Sequence, residues 1–323
     1  FVPLPATDGV RVGLSFACSS VLANKGADLS SHSRELQRMV KHLPEVDENP
    51  IPPMLNDELR ATRDEVKAVE QRVDRWLARE DVDLATKLDG LAWVAGMLGQ
   101  AKLEKVREDR FVELLDTLFG ALPDELPHHP IAPATNRQKK LFRQAVFART
   151  EDPKIGRVRK SGRIRTAFSQ FLRSHRFAKG KGIAPVIGEE WPDDVDLARV
   201  EEVEAARDEK EARAIEELII RYARVTILGG RAWGFGYYGW PVILGLKTLT
   251  LNLACTSWLA RLHAAGIGRE AIALEDVKAA LGRIDRTAGR AKWLSTPTEK
   301  LRLKYLSMDD GLRRLLAAYP MVD

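Results

Sequence analysis

One segment constrains this fold more than any other: Val242 to Leu262, 21 mostly apolar residues that follow Pro241. At the rise of an α-helix it is long enough to cross a bilayer, so it either spans a membrane or forms the centre of a core. Lys247, Thr248, Thr250, Asn252, Thr256, Ser257 and Arg261 interrupt it. A lysine well inside a lipid span is costly, so the pattern argues for a buried core helix and against a membrane span. Such a helix needs apolar neighbours on every side.

The rest of the chain supplies them as helices. Beyond a connector at Asn49-Pro-Ile-Pro-Pro53, Asn56 or Asp57 is expected to cap a long helix on which Leu59, Val66, Val69, Val73, Trp76 and Leu77 recur at helical spacing. Asp28 to Leu43, Leu84 to Leu103 and Phe111 to Leu122 carry further helical patterns. Pro123, Pro127, Pro130 and Pro133 predict a linker from there to about Asn136, with His128 and His129 as exposed loop residues. Asp196 through Tyr222 lacks Gly and Pro and pairs Glu209 with Arg213 and Glu217 with Arg221, which predicts one helix turning apolar towards its end. Leu274 to Ile284, a helix opened by Thr296-Pro-Thr-Glu299, and a last one capped by Asp309 close the chain.

Only the first residues read as strand. Phe1-Val-Pro-Leu-Pro5 and Val10 to Phe16 flank Ala6-Thr-Asp-Gly9, a hairpin turn. Val10, Val12, Leu14, Phe16 and Cys18 share one period-2 face, so Cys18 is expected to point into the core. The fold class is therefore mainly α, a helical bundle with a small N-terminal β-hairpin. With 323 residues, 45% of them hydrophobic, one large or two smaller packed units are expected. The divisions expected are a hairpin over 1–26, a helical region over 27–150, a basic-to-acidic linker region over 151–195 and a C-terminal helical region over 196–323.

Charge marks the linker. Lys154, Arg157, Arg159, Lys160, Arg163, Arg165, Arg173, Arg176, Lys179 and Lys181 fall in a stretch with no acid before Glu189, and the next residues through Glu217 are rich in Asp and Glu. Phe168, Phe171 and Phe177 are interleaved with the bases. A polyanion surface and a solvated helix face are both open readings. No zinc-finger, helix-turn-helix or RNA-binding signature accompanies the run, which argues against nucleic acid. Arg157, Arg159, Lys160, Arg163 and Arg165 are the candidate basic surface, and an acidic protein is the partner they suit. Arg283, Arg286, Arg290 and Lys292 form a second basic cluster, expected to be solvated.

Two features have the residue types that chemistry uses. Gly229 to Pro241 packs Trp233, Phe235, Tyr237, Tyr238 and Trp240 among glycines. Gly234, Gly236 and Gly239 spell Gly-x-Gly-x-x-Gly, yet the acid required about 20 residues later is absent at Leu259, so a tight turn beside packed rings is favoured over a dinucleotide site. Tyr237, Tyr238 and Trp240 are the candidate pocket residues. The two cysteines, Cys18 and Cys255, exclude a disulfide framework and fit a reducing cytoplasm; Cys255 sits among Leu251, Leu253, Trp258 and Leu259 and reads as core.

Val12-Gly-Leu-Ser-Phe-Ala-Cys18, followed by Ser-Ser-Val-Leu-Ala-Asn-Lys-Gly26, resembles the tail of the cysteine-cluster domain in zinc- or iron-chelating proteins related to flagellin lysine-N-methylase. Ile215 to Tyr222, Phe235-Gly-Tyr-Tyr-Gly-Trp-Pro241 and Trp258-Leu-Ala-Arg-Leu262 resemble the longer members. The resemblance covers about a third of the chain. It implies a zinc ion or an iron–sulfur cluster held by thiolates, with Cys18 the one position that matches a family cysteine and the others expected upstream of residue 1. It further implies methyl transfer from S-adenosylmethionine to lysine on a protein substrate, with Tyr237 and Tyr238 as candidates for the lysine channel. The alternative is a non-catalytic helical scaffold or accessory subunit that docks on an acidic partner through its basic segment.

Overall fold

The computed structural model describes residues 2–6, 9–24, 51–150, 163–185, 187–188 and 191–323, with isolated helical positions at 34, 37–38 and 41. The expected helix from Asp28 to Leu43 otherwise lies outside the described residues, as do Arg157, Arg159 and Lys160. The protein is mainly α, as its patterning predicts. Two units divide it: Phe1–Ile131 with Glu217–Thr250, and Ala132–Glu216 with Leu251–Asp323.

In the first unit, strands β1 (Val2–Ala6) and β2 (Gly9–Gly13) pair antiparallel, from Val2 opposite Gly13 to Ala6 opposite Gly9. Arg11 anchors the hairpin by donating to both carboxylate oxygens of Glu70, at 2.6 and 2.9 Å, and to the Leu228 carbonyl at 3.2 Å. A paired fork of this kind holds orientation as well as position. After Gly13 the strand ends, and a turn leads into α1 (Ser19–Leu22). Phe16 is fully buried, edge-on to Tyr222 at 5.1 Å.

Helix α2 (Arg63–Leu77) starts later than expected, because its cap is Thr62 rather than Asn56 or Asp57. Thr62 Oγ1 accepts from the Glu65 N–H at 3.1 Å, and Glu65 Oε2 accepts from the Thr62 N–H at 2.8 Å, a reciprocal capping box. Asn56 instead folds its own loop, accepting from the N–H groups of Glu58 and Leu59. Helix α3 (Leu84–Gln100) is capped by Asp83 on Thr86 N–H at 2.8 Å.

Helix α4 (Asp109–His128) corrects the reading of a proline linker: it continues through Pro123 and Pro127. Each proline removes one N–H, but this end of the helix is largely solvent-facing, where water can serve the freed carbonyls. His128 Nδ1 lies 2.5 Å from the Asp124 carbonyl and His129 Nδ1 3.0 Å from that of Glu125, so the histidines close the helix end.

The second unit contains α5 (Asn136–Thr150), α6 (Arg163–Lys179), α7 (Leu197–Val200), α10 (Leu274–Thr287), α11 (Pro297–Ser307) and α12 (Gly311–Ala318). Helices α8 (Glu209–Leu228) and α9 (Val242–Gly266) contribute residues to both units. The helix expected from Asp196 to Tyr222 is broken. Residues 201–208 separate α7 from α8, and within them Glu204 and Ala206 form parallel bridges to Ala271 and Val322. Good helix formers there lose to backbone pairing that local propensity cannot report. Asp208 then caps α8 by accepting from Glu211 N–H at 2.9 Å.

The end of α5 is closed by three side chains rather than by water. Trp293 Nε1 donates to the Ala148 carbonyl at 2.7 Å, Thr287 Oγ1 to Arg149 at 2.9 Å, and Arg283 Nε to Thr150 at 2.9 Å. Arg283 is buried, which corrects the expectation of a solvated cluster at that residue, while Arg286, Arg290 and Lys292 are exposed; carbonyls at a helix C-terminus are natural acceptors for a guanidinium. Phe177 packs on Trp258 and Phe147 at 5.1 and 5.5 Å. In α9, 89% of the most apolar window is buried within the protein, as a core helix requires.

Candidate functional sites

The glycine-rich stretch folds as the tight turn its composition predicts. Gly234 and Trp240 bridge, the Gly234 N–H donating to the Trp240 carbonyl at 2.8 Å. Tyr238, with φ of 53°, adopts the left-handed conformation between them. Gly236 has no alternative, since a Cβ there would fall 1.9 Å from the Gly230 carbonyl oxygen. The carbonyls of Met54 and Leu55 accept from the N–H groups of Val242 and Ile243 at 2.8 and 3.1 Å, serving the first turn of α9.

The structure brings Tyr237, Tyr238 and Trp240 together, but against one another. Tyr237 lies 4.8 Å from Tyr238 and 5.5 Å from Trp240, and Tyr238 lies 5.9 Å from Trp240, all with steeply inclined rings. Tyr237 and Trp240 are buried and Tyr238 half-buried. Edge-to-face packing of this kind stabilises a junction by up to about 1.5 kcal/mol per pair beyond area burial. Phe235, at the tip of the turn, is 75% exposed.

Cys18 does not point into the core; it is exposed. The period-2 face stops where the strand stops, at Gly13, and the turn through Phe16 and Ala17 carries Cys18 to the N-cap of α1. There the N–H groups of Val21 and Ser20 hold its thiol below the ordinary value, favouring the thiolate. Cys255 is the opposite case, fully buried, with burial pushing its thiol up to about 12.

The described residues do not compose a metal centre by themselves. No group of three or more His, Cys, Asp or Glu stands within metal-holding reach among the described residues, and Cys18 and Cys255 are the only thiols in the sequence. A structural zinc site takes four ligands and an iron–sulfur cluster several thiolates.

Arg163 and Arg165 lie on the first turn of α6. Further along, Phe171 is 65% and Leu172 41% exposed, next to exposed Arg176 and Lys179 and, beyond the helix, exposed Lys181 and Ile183. His175 stacks on Phe171 with ring centroids 6.2 Å apart. The opposite side of α6 is core, where Phe177 and Ala178 are fully buried.

Two further features are the cations of α9, buried Arg261 and half-buried Lys247. Arg261, 3% exposed, donates to the carbonyls of Val203, Ser257 and Pro320 at 3.1, 3.4 and 2.5 Å and to Ser257 Oγ at 2.6 Å. Lys247 has no hydrogen-bond or ion-pair partner among the described residues. Both were legible as polar interruptions of an apolar helix; their difference was not.

The chain matches no family model, no curated protein and no solved structure.

Proposed function

We propose that the protein is the helical portion of a cysteine-cluster protein in which Cys18 supplies one thiolate to a zinc ion or an iron–sulfur cluster. The observation that supports this reading is the exposed position of Cys18 at the hairpin's end, together with the backbone N–H groups that favour its thiolate. A buried cysteine held only for packing would be neither. The other ligands come from outside the residues described. Lysine methylation is the activity that the resemblance attaches to this reading, with Tyr237 and Tyr238 as its candidates for the lysine channel. Metal and acid-labile sulfide analysis of protein isolated anaerobically from its native cells tests the reading, wild type against Cys18→Ser. Metal lost in the variant supports it, and equal content in both ends it. Calorimetry with S-adenosylmethionine tests the methylation: a silent titration of the metal-loaded protein removes that part.

A second reading has its own observation. The outward side of α6 combines the exposed Phe171 ring and Leu172 with lysine and arginine, the combination that docks an acidic amphipathic segment of a protein partner. Fluorescence anisotropy with a labelled poly-glutamate peptide containing leucines is the measurement. Phe171→Ala with Leu172→Ala, and separately Arg176→Glu with Lys179→Glu, should each weaken binding by about tenfold. Unchanged binding in both double variants rejects the surface.

A further inference from the structure

Lys247 is a cation on an apolar helix that has no ion-pair partner among the described residues. On α9 from Val242 to Leu262 every residue is buried except Leu244 and Lys247, which are half-buried and three positions apart. That spacing puts them on one face, so this stretch of the helix has a gap in its cover there. The amine reaches Gly99 in the last turn of α3: a Cβ built on Gly99 would fall 2.2 Å from Lys247 Nζ and 3.0 Å from its Cε. A methyl at this position would displace the flexible end of the lysine from where it lies. Gly99 is itself exposed, which places the amine at the rim of the gap rather than at its base.

The surroundings act on the charge in one direction. Burial lowers the Lys247 pKa, and no neighbouring charge contributes to the shift. A solvated surface lysine at neutral pH is almost wholly ammonium and has no lone pair to give. Each unit by which a pKa falls raises the free-amine fraction about tenfold, which is how lysines become nucleophiles.

We propose that Lys247 is a nucleophilic amine, a covalent site for small aldehydes, held in its niche by the absence of a side chain at Gly99. The neutral amine's lone pair attacks the carbonyl carbon and forms the C–N bond, while the C=O π pair moves to oxygen, which takes up a proton. The carbinolamine loses its oxygen as water, carrying two hydrogens, and leaves an imine on Nζ. No group other than the aldehyde is consumed.

The test is a competition within one molecule. Folded protein is treated at pH 7 with limiting formaldehyde and cyanoborohydride, whose hydride reduces the imine to a methylamine, and peptide mass spectrometry reads the rate at each lysine. Lys67 and Lys304, both exposed, are the internal references. Lys247 is expected to label about fivefold or more faster than either. Gly99→Ala should bring the Lys247 rate down to theirs while leaving Lys67 and Lys304 unchanged. If Lys247 in the wild-type protein labels no faster than the references, the inference is overturned, whatever the variant does.

Discussion

Arg261 and Lys247 are cations on the same apolar helix, and they show two ways of tolerating a charge there. Arg261 spreads its guanidinium over three carbonyls and a hydroxyl. It remains a cation despite burial that lowers its pKa to about 10. Lys247 has no acceptor among the described residues and lies beside a glycine at a half-buried position. A planar fork with five donors can satisfy several backbone carbonyls at once, and a point charge on a flexible stem cannot. The partnered cation is architecture, while the unpartnered one costs stability and is free for chemistry.

The comparison breaks first at Arg261. Arg261→Met keeps most of the volume but strands the carbonyls of Val203, Ser257 and Pro320, and should cost about 3–5 kcal/mol in denaturant unfolding. A loss below about 1 kcal/mol would mean that the carbonyls find water and that the guanidinium is not structural.

Next comes a buried anion with the same logic as Arg261. Glu65 is fully buried and accepts from Arg107 Nε and Nη2 at 2.8 and 2.9 Å, from Glu108 N–H at 2.9 Å and from Thr62 N–H. Burial alone would raise its pKa, but the bonds from Arg107, Glu108 and Thr62 outweigh it, and the net shift is down from 4.5. Its contribution is therefore full above pH 4.5 and is lost as pH falls through the depressed value. Glu65→Ala should cost about 2–3 kcal/mol at pH 7. That cost should shrink in unfolding curves taken progressively below about pH 4. A penalty equal at pH 7 and pH 3 would assign the effect to packing instead.

Lys247 should respond with the opposite sign. Lys247→Met removes a desolvated amine and is expected to stabilise the protein by about 1 kcal/mol at pH 7. A lysine whose folded pKa lies below its ordinary 10.5 destabilises most at low pH, so the advantage of methionine should fade as pH rises from the depressed value towards 10.5. A destabilised methionine variant would show that the amine has a partner and that the contrast with Arg261 is false.

What could be read from the chain and what could not divides along the same line. The hairpin, the core helix α9 and the proline that opens α11 are local: spacing and side-chain chemistry within a few residues decide them. The break at 201–208 and the burial of Arg283 are decided by distant backbone groups, at Ala271, Val322 and Thr150, and the run of α4 through Pro123 and Pro127 by its solvent-facing end. The aromatic turn was legible as a turn because glycine leaves little else. Its rings face one another, which composition alone does not state. Cys18 was misplaced for a local reason: period-2 counting was carried past Gly13, where the strand ends.

Cys18 and Cys255 repeat the contrast on thiols, with the smallest expected effect on stability. Cys18→Ser alters an exposed atom and should leave unfolding within about 0.5 kcal/mol of wild type, since no core contact is lost. Reactivity is where the two cysteines part. At pH 7 iodoacetamide should modify Cys18 in the folded protein, because backbone N–H groups favour its thiolate, and reach Cys255 only on unfolding, because burial holds that thiol up to about 12. One thiol labelled when native and two when denatured is the expected count. If Cys18 is protected in protein prepared anaerobically from its native cells yet reacts once a chelator is added, the protection is that of a ligand rather than of burial, and the cysteine-cluster reading gains the support it most needs. Protection that persists with chelator would instead mean that a partner or an upstream segment covers the thiol.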